Sequence, residues 1–247
     1  MSSQNRQPYP SGQHRGDDGR SGSPAFGVDR PWRAVRVWDF STRAFHWLMV
    51  VLVVAAYISW RANWMDLHAL CGDALLALLL FRLGWGVVGS DTARFGRFLA
   101  SPRAAFSHLA HLFRREPDTQ CGHNPAGGWV VVLLLVLLLA QTISGIVMNN
   151  DVADEGPLTQ IMPVWLANLV TDMHVYLWDA LLVAVGLHLA AIFTYAVVKG
   201  HNLLRPMITG VKPLPADQPA PRMARAALAF LVLGASVVAA ALFASLI

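Results

Sequence analysis

The chain has 247 residues, of which 55% are hydrophobic and 14% are charged. This composition is too apolar for an ordinary water-soluble domain of this length. The formal net charge is +4, but the cations flank apolar segments and form no stripe with interleaved aromatic residues, so a nucleic-acid partner is not indicated. The composition therefore predicts a polytopic protein of the lipid bilayer.

In chain order, one polar segment precedes five apolar blocks. Residues 1–31 are rich in Ser, Gly, Gln, Arg and Asp, which predicts a disordered cytoplasmic tail. Each later block approaches the roughly 20 residues that cross a hydrocarbon core. The blocks are Ala44 to Trp60, Leu67 to Gly89, Gly128 to Met148, Met173 to Val198 and Ala226 to Ile247. We expect an all-α integral membrane protein with five transmembrane helices.

The distribution of cations predicts the orientation of these spans. Seven of the 19 Lys and Arg residues precede the first span, five lie between the second and third spans, and five follow the fourth. The connections on the opposite side contain Arg61 as their only cation. By the positive-inside rule, the N-terminus is expected to be cytoplasmic and, after five spans, the C-terminus periplasmic.

Four histidines belong to the apolar blocks: His46, His68, His174 and His188. His46 comes early in the first span, near the cytoplasmic face, whereas His68 and His174 open their spans at the outer face. His188 follows His174 by 14 residues, which is close to four helical turns and about 21 Å. It therefore returns to the depth of His46. The pairs that this geometry permits are His46 with His188 and His68 with His174.

Two imidazoles on facing helices can fill both axial positions of a haem iron. A single intramembrane histidine also serves in other proteins as a hydrogen-bonding residue or a proton relay, but four at matched depths favour two haem sites. A structural zinc site fits poorly, because zinc gathers its ligands at one place. Solvated or interfacial roles are expected for the other five histidines: His14, His108, His111, His123 and His201.

Two arginines are candidates for binding the cofactor's carboxylates. Arg82 follows His68 by 14 residues, so it shares that helix face but lies at the depth of the inner pair. Arg43 lies about one turn before His46. Guanidinium groups pair with carboxylates such as haem propionates. The alternative for Arg82 is that its long side chain extends to the cytoplasmic lipid headgroups.

Short motifs also follow one another in a characteristic order. They are Val37-Trp38-Asp39 with Arg43 and His46-Trp47, Arg82-Leu83-Gly84-Trp85-Gly86 with Gly89, Ala93-Arg94-Phe95, Ser101-Pro102, Gly122-His123-Asn124-Pro125-Ala126-Gly127-Gly128, Asn202-Leu203, and Met207-Ile208-Thr209-Gly210 with Lys212. In these motifs, residues 32–212 resemble the bacterial cytochrome b561 and nickel-iron hydrogenase b-type cytochrome family of membrane dihaem proteins.

The resemblance implies an antiparallel four-helix transmembrane bundle that holds two haems b in the bacterial inner membrane. Such a protein passes electrons between the quinone pool and a periplasmic partner, either a nickel-iron hydrogenase or a cytochrome c. Carried over by position, the four histidines are the axial ligands. Residues 32–212 are then the haem domain, 213–225 a linker, and 226–247 a fifth transmembrane helix outside the family core.

Alternatives remain open at this point. The chain is either an electron-transfer protein or a subunit of an oxidoreductase complex. Direct small-molecule chemistry, as in a superoxide:quinone oxidoreductase, is a second possibility. In a different class, a proton-coupled transporter or scaffold without haem would use the intramembrane histidines to move protons. The outer connection from Arg61 to Asp66 is short, so most outer contact is expected from a solvated loop, Asn149 to Asp172.

Overall fold

The computed structural model describes residues 31–111, 114, 118–147 and 162–246, so the expected disordered tail lies, except for its last residue, outside the described residues. The described elements are, in chain order, strand β1 (Trp32–Arg36), helices α1 (Phe40–Arg61), α2 (Met65–Val88), α3 (Phe95–Phe98), α4 (Pro102–Ala110), α5 (Pro125–Val147) and α6 (Val164–Thr194), a π-helical turn (Tyr195–Lys199), helix α7 (Leu204–Thr209), strand β2 (Val211–Pro215) and helix α8 (Ala226–Leu246).

Five of these helices are long and apolar enough to cross a membrane: α1, α2, α5, α6 with its π-helical turn, and α8. The prediction of five membrane-spanning helices is thus confirmed within the described residues. The fourth span begins earlier than predicted, at Val164 instead of Met173. The expectation of a solvated loop up to Asp172 is therefore wrong for its last part, which is helical, while residues 148–161 lie outside the described residues.

Local signals explain where α1 begins and ends. The Asp39 carboxylate accepts a hydrogen bond from the Thr42 backbone N–H at 2.7 Å, which satisfies one of the unpaired donors of the first helical turn. Beyond its other end, Asn63 has a φ of 58°, a left-handed conformation that asparagine tolerates better than most residues. Since the connection to α2 is so short, α1 and α2 form an antiparallel pair.

Helix α2 is the most buried of the five spans. It packs against α1, α5 and α8, and its side chains Leu79 and Trp85 are each only 1% exposed. Gly84 allows α8 to approach closely, because a Cβ at this position would lie 2.9 Å from Cγ1 of Val232. The fifth span therefore packs directly on the centre of the fold.

Helix α6 packs along α5, and its side chains also meet those of α1. Tyr57 of α1 stacks on Trp178 of α6, with ring centroids 5.4 Å apart. Helix α6 contains both His174 and His188, and each of them lies close enough to a histidine of α1 or α2 for an electrostatic interaction. This packing brings the predicted ligands of different helices towards one another.

A two-stranded ribbon, which the all-α prediction did not include, lies beside the start of α1. Strand β1 pairs antiparallel with β2, with Trp32 opposite Pro215. The carbonyl of Gly210, just before β2, accepts hydrogen bonds from the backbone N–H groups of Val37 and Trp38 at 2.8 and 3.2 Å. Gly210 has a φ of 81°, a conformation that favours glycine. We call this side of the molecule the ribbon end.

The opposite side, where the short turn joins α1 to α2, is called the far end. The segment that leads into α8 lies at the ribbon end. Its backbone pairs with the turn after α2, because Asp91 N–H donates to the Arg222 carbonyl at 3.0 Å and Ala224 N–H donates to the Ser90 hydroxyl at 2.9 Å. Part of the expected linker is thus hydrogen-bonded structure.

Candidate cofactor site

The ribbon-end pair consists of His46 on α1 and His188 on α6. Their rings are close enough for an electrostatic interaction. The Nδ1 atom of His46 is buried and has no hydrogen-bond partner. The packing of the helices thus brings together two histidines that the sequence places at the same depth. One of the two ring nitrogens of His46, Nδ1, makes no hydrogen bond.

Arg82 of α2 lies at the same end and is buried, with 3% of its surface exposed. Its guanidinium carbon sits 4.8 Å from the ring centroid of Phe95 and 5.9 Å from that of Phe98. Nη1 is buried without a hydrogen-bond partner. The side chain therefore does not extend to the surface as the headgroup alternative required. The Asp39 carboxylate lies close enough for an electrostatic interaction with this cation, but the buried Nη1 donor remains unused, which is costly.

Arg43, the second predicted carboxylate donor, lies on the first turn of α1 beside the ribbon. Its Nη1 donates to the Ile208 carbonyl, which fixes the guanidinium against the turn before β2. Its Nε is buried and has no partner. Arg43 therefore keeps an unsatisfied donor at the ribbon end, as Arg82 does.

His123 also belongs to this end, and the sequence did not indicate it. Its ring packs against Trp38 and Phe98, with centroids 4.7 and 4.5 Å away, and its Nδ1 is buried without a partner. Burial, followed by the nearby Arg82 guanidinium and His188, lowers the pKa of His123. Of the two roles expected for His123, solvated or interfacial, the solvated one is not observed, because the imidazole is packed among aromatic rings just before α5.

The far-end pair consists of His68 on α2 and His174 on α6, which are also close enough for an electrostatic interaction. Here the rings have partners. Nδ1 of His68 lies 2.8 Å from the carbonyl oxygen of Ala56 in α1. Nδ1 of His174 lies 3.0 Å from the carbonyl oxygen of Gln141 in α5 and 3.1 Å from the Ser144 hydroxyl. Neighbouring helices thus orient both rings.

A glycine makes room for the His174 ring. A Cβ on Gly145 would lie 2.7 Å from Cε1 of His174 and 3.2 Å from its Nδ1. Real side chains do not approach so closely, and the obstacle is a planar ring held by its own hydrogen bonds. The absence of a side chain at Gly145 is therefore a condition for the observed position of His174.

Comparison with known families decides the class of protein. The family model for prokaryotic cytochrome b561 matches residues 37–210. The chain belongs to this family. No curated protein and no solved structure matches the chain. As a prokaryotic cytochrome b561, the protein is a multi-pass membrane b-type cytochrome of electron transfer, and b-type haem is its implied cofactor. Helix α8 lies outside the matched range.

The residues of this cytochrome fit b-type haem. Each end offers two imidazoles from different helices, the number of axial ligands that a six-coordinate haem uses. Among the described residues, no group of three or more His, Cys, Asp or Glu side chains is arranged to hold a metal ion. At the ribbon end, the unused donors of Arg82 and Arg43 match the carboxylates of a propionate-bearing cofactor.

The cytochrome also has a polar cluster at its ribbon end that the sequence did not predict. His108 Nε2 lies 2.6 Å from the Tyr195 hydroxyl. His201 Nδ1 lies 3.9 Å from the Asp118 carboxylate, to which Lys212 donates at 2.5 Å. His123 and His201 each occur in a Gly-His-Asn triplet. That repeated triplet is the one sequence signal that could have indicated packed, rather than solvated, histidines.

Proposed function

We propose that this protein is a dihaem cytochrome b that carries electrons across the bilayer between the quinone pool and a periplasmic redox partner, a nickel-iron hydrogenase or a cytochrome c. His46 and His188 hold one haem b, and His68 and His174 hold the other. The observation that carries this proposal is that α6 contributes one histidine to a pair with α1 at the ribbon end and another to a pair with α2 at the far end. Helix α6 separates its two histidines by about 21 Å.

When bound, the haems supply one-electron chemistry. The residues of the chain hold and orient them. The neutral imidazoles of the four histidines would bind the haem irons, and the apolar surfaces of the spans would exclude water from the path between the sites. Arg82 and Arg43 hold the propionates of the ribbon-end haem. Because Arg82 is buried, its charge acts in a low-dielectric environment and favours the reduced iron.

The ribbon end is proposed to face the cytoplasm and the far end the periplasm of the bacterial inner membrane. The described cations that precede α1, follow α2 or follow the π-helical turn, such as Arg33, Arg94 and Lys212, lie on the ribbon side, as the positive-inside rule requires of the cytoplasmic side. In this orientation, His68 and His174 would hold the haem that is nearer the periplasmic partner, and His46 and His188 the haem that is nearer the cytoplasm.

Electron transfer across the membrane of a sealed vesicle tests this function. The purified holoprotein is placed in liposomes that contain trapped ferricyanide, and a membrane-impermeant reductant is added outside. We expect oxidation of the external reductant to depend on both haems, so that the His46→Ala and His174→Ala proteins are inactive. The His111→Ala protein is the control, because His111 lies at the end of α4 and bonds the Ser107 carbonyl.

Electron transfer that stays undiminished in either single-ligand variant would refute the transmembrane relay. A second arm replaces the external reductant by a short-chain quinol, and failure of a quinol to reduce either haem would refute the quinone assignment. Consumption of superoxide by the haems in the absence of any protein partner would instead favour the small-molecule oxidoreductase.

A further inference from the structure

A serine and a backbone carbonyl form a small unit in α1. Ser59 donates its hydroxyl to the Ala56 carbonyl, three residues earlier, at 3.0 Å. The same carbonyl oxygen lies 2.8 Å from Nδ1 of His68. Ser59 is completely buried. The hydroxyl and the imidazole therefore share one acceptor at the far end of the molecule.

Helix α5 repeats this unit. Ser144 donates its hydroxyl to the Gln141 carbonyl, again three residues earlier and at 3.0 Å. Nδ1 of His174 lies 3.0 Å from the same oxygen. Ser144 is 7% exposed. We call each carbonyl with its serine a brace. One brace comes from the helix before His68, and the other from the span before His174.

Each brace selects one tautomer of its histidine. A carbonyl oxygen can only accept a hydrogen bond, so Nδ1 must hold the proton in the neutral ring and Nε2 must hold the lone pair. His174 has a second indication of the same tautomer. The side-chain amide nitrogen of Gln141 lies 3.0 Å from its Nε2, and an amide N–H can only donate. In both rings, Nε2 is therefore the nitrogen with the lone pair; at His174 this lone pair accepts the Gln141 N–H, a hydrogen bond that a metal would replace.

We propose that Ser59 and Ser144 are positioning residues of the far-end haem, an inference that rests on the proposed dihaem function. Each hydroxyl holds its carbonyl towards the imidazole, and the resulting Nδ1–H···O bond increases the basicity of the axial nitrogen. A more basic ligand stabilises ferric iron. His46 at the ribbon end has no partner on Nδ1, so the far-end haem has the lower midpoint potential.

The test uses three matched serine variants of the full-length holoprotein. Ser59→Ala and Ser144→Ala each remove one brace hydroxyl. Ser236→Ala is the control, because Ser236 of α8 is also 7% exposed and donates to a helix carbonyl, that of Val232, at 2.8 Å, but no histidine shares that carbonyl among the described residues. Redox titration and the low-spin electron paramagnetic resonance spectrum are recorded for each protein.

Without the hydroxyl, the carbonyl turns back towards the N–H groups of its own helix and its bond to the imidazole weakens. We expect the far-end midpoint to rise in both brace variants by up to about tenfold in the redox equilibrium, or about 59 mV for one electron. The ribbon-end midpoint should stay constant, and Ser236→Ala should change neither. The far-end signal in the low-spin spectrum should shift with the midpoint.

The proposal is overturned if the far-end midpoint moves no more in the brace variants than in Ser236→Ala. It is also overturned if both midpoints move together, since that indicates a general loss of packing. If a brace variant fails to accumulate, two ligand variants replace it: His46→Ala should retain only the far-end haem, and His68→Ala only the ribbon-end haem. The proposal is contradicted if the midpoint potential of the haem in His46→Ala is higher than that of the haem in His68→Ala. A wild-type protein that binds no haem refutes the function itself, whereas these outcomes refute only the braces.

Discussion

The two ends of the molecule contain the same kind of histidine pair in opposite surroundings. At the ribbon end, His46 has no partner on Nδ1, and the buried Arg82 guanidinium has an unused donor. At the far end, both histidines lie against backbone carbonyls. The difference teaches that neighbouring helices can give histidines of the same kind different hydrogen bonds and different nearby charges. A nearby cation raises a haem potential, and a hydrogen bond that makes the ligand more basic lowers it.

The covering of the two ends differs as well. The ribbon end is enclosed by the β1–β2 ribbon, α3 and the segment before α8, which bury Trp38 and Arg82. At the far end, the connection between α1 and α2 is only a short turn. Among the described residues, the ribbon end therefore has the elements to shield a charged group from water, whereas at the far end it is the helices that position the histidines.

The largest effects on this comparison are expected when one predicted haem-binding histidine is replaced at a time. His46→Ala and His188→Ala should each lose the ribbon-end haem, and His68→Ala and His174→Ala should each lose the far-end haem, because one imidazole does not sustain six-coordinate ligation. Optical redox titration of the four proteins measures which midpoint disappears. If His46→Ala and His68→Ala retained the same haem, the assignment of ligands to ends would be wrong.

A smaller effect is expected from filling the space beside His174. Gly145→Ala places a methyl group 2.7 Å from the ring, so the ring must move and the far-end haem should bind about tenfold more weakly or more. Haem retention during purification measures this loss. Gly234→Ala in α8 is the control, because a Cβ there meets nothing within 4 Å.

Equal haem retention in Gly145→Ala and Gly234→Ala would show that His174 adopts another position in the holoprotein. Loss of the ribbon-end haem in Gly145→Ala would contradict the separation of the two ends. A Gly145→Ala protein that has lost the far-end haem but retains the ribbon-end haem would show that the two ends bind haem independently.

The smallest effect is expected from Arg82→Gln, which keeps a hydrogen-bond donor but removes the charge. Since the cation favours the reduced iron, the ribbon-end midpoint should fall by tens of mV, with about 59 mV for each tenfold change in equilibrium. The far-end midpoint should stay nearly constant. Arg97→Gln is the control, because Arg97 lies at the same end but its side chain is 64% exposed. Equal midpoints in Arg82→Gln and wild type would mean that Arg82 has no haem role.

The sequence predicted the spans well because hydropathy is a local property that a short window contains. It predicted the start of the fourth span less well, since Asn168 and Asp172 interrupt the apolar pattern although α6 already begins at Val164. The ribbon was not predicted because its strands are separated by most of the chain. Pairing between such distant segments leaves no local pattern beyond a few β-branched residues.

The candidate site shows the same limit. Depth along a helix follows from residue number, so the histidine pairs could be predicted from spacing. The braces could not, because Ser59 and Ser144 act through backbone carbonyls, and a serine in an apolar span ordinarily bonds its own helix. His123 was missed for a related reason: its burial depends on Trp38 and Phe98, which come from two other segments.

The central claim, that each end of the molecule binds one haem, is tested most directly by the haem content of the purified wild-type protein. A pyridine haemochrome assay, combined with quantitative amino-acid analysis, gives the number of haems b per chain. The account predicts two, both low-spin, and a redox titration that resolves two midpoints. One haem per chain, or none, would contradict it.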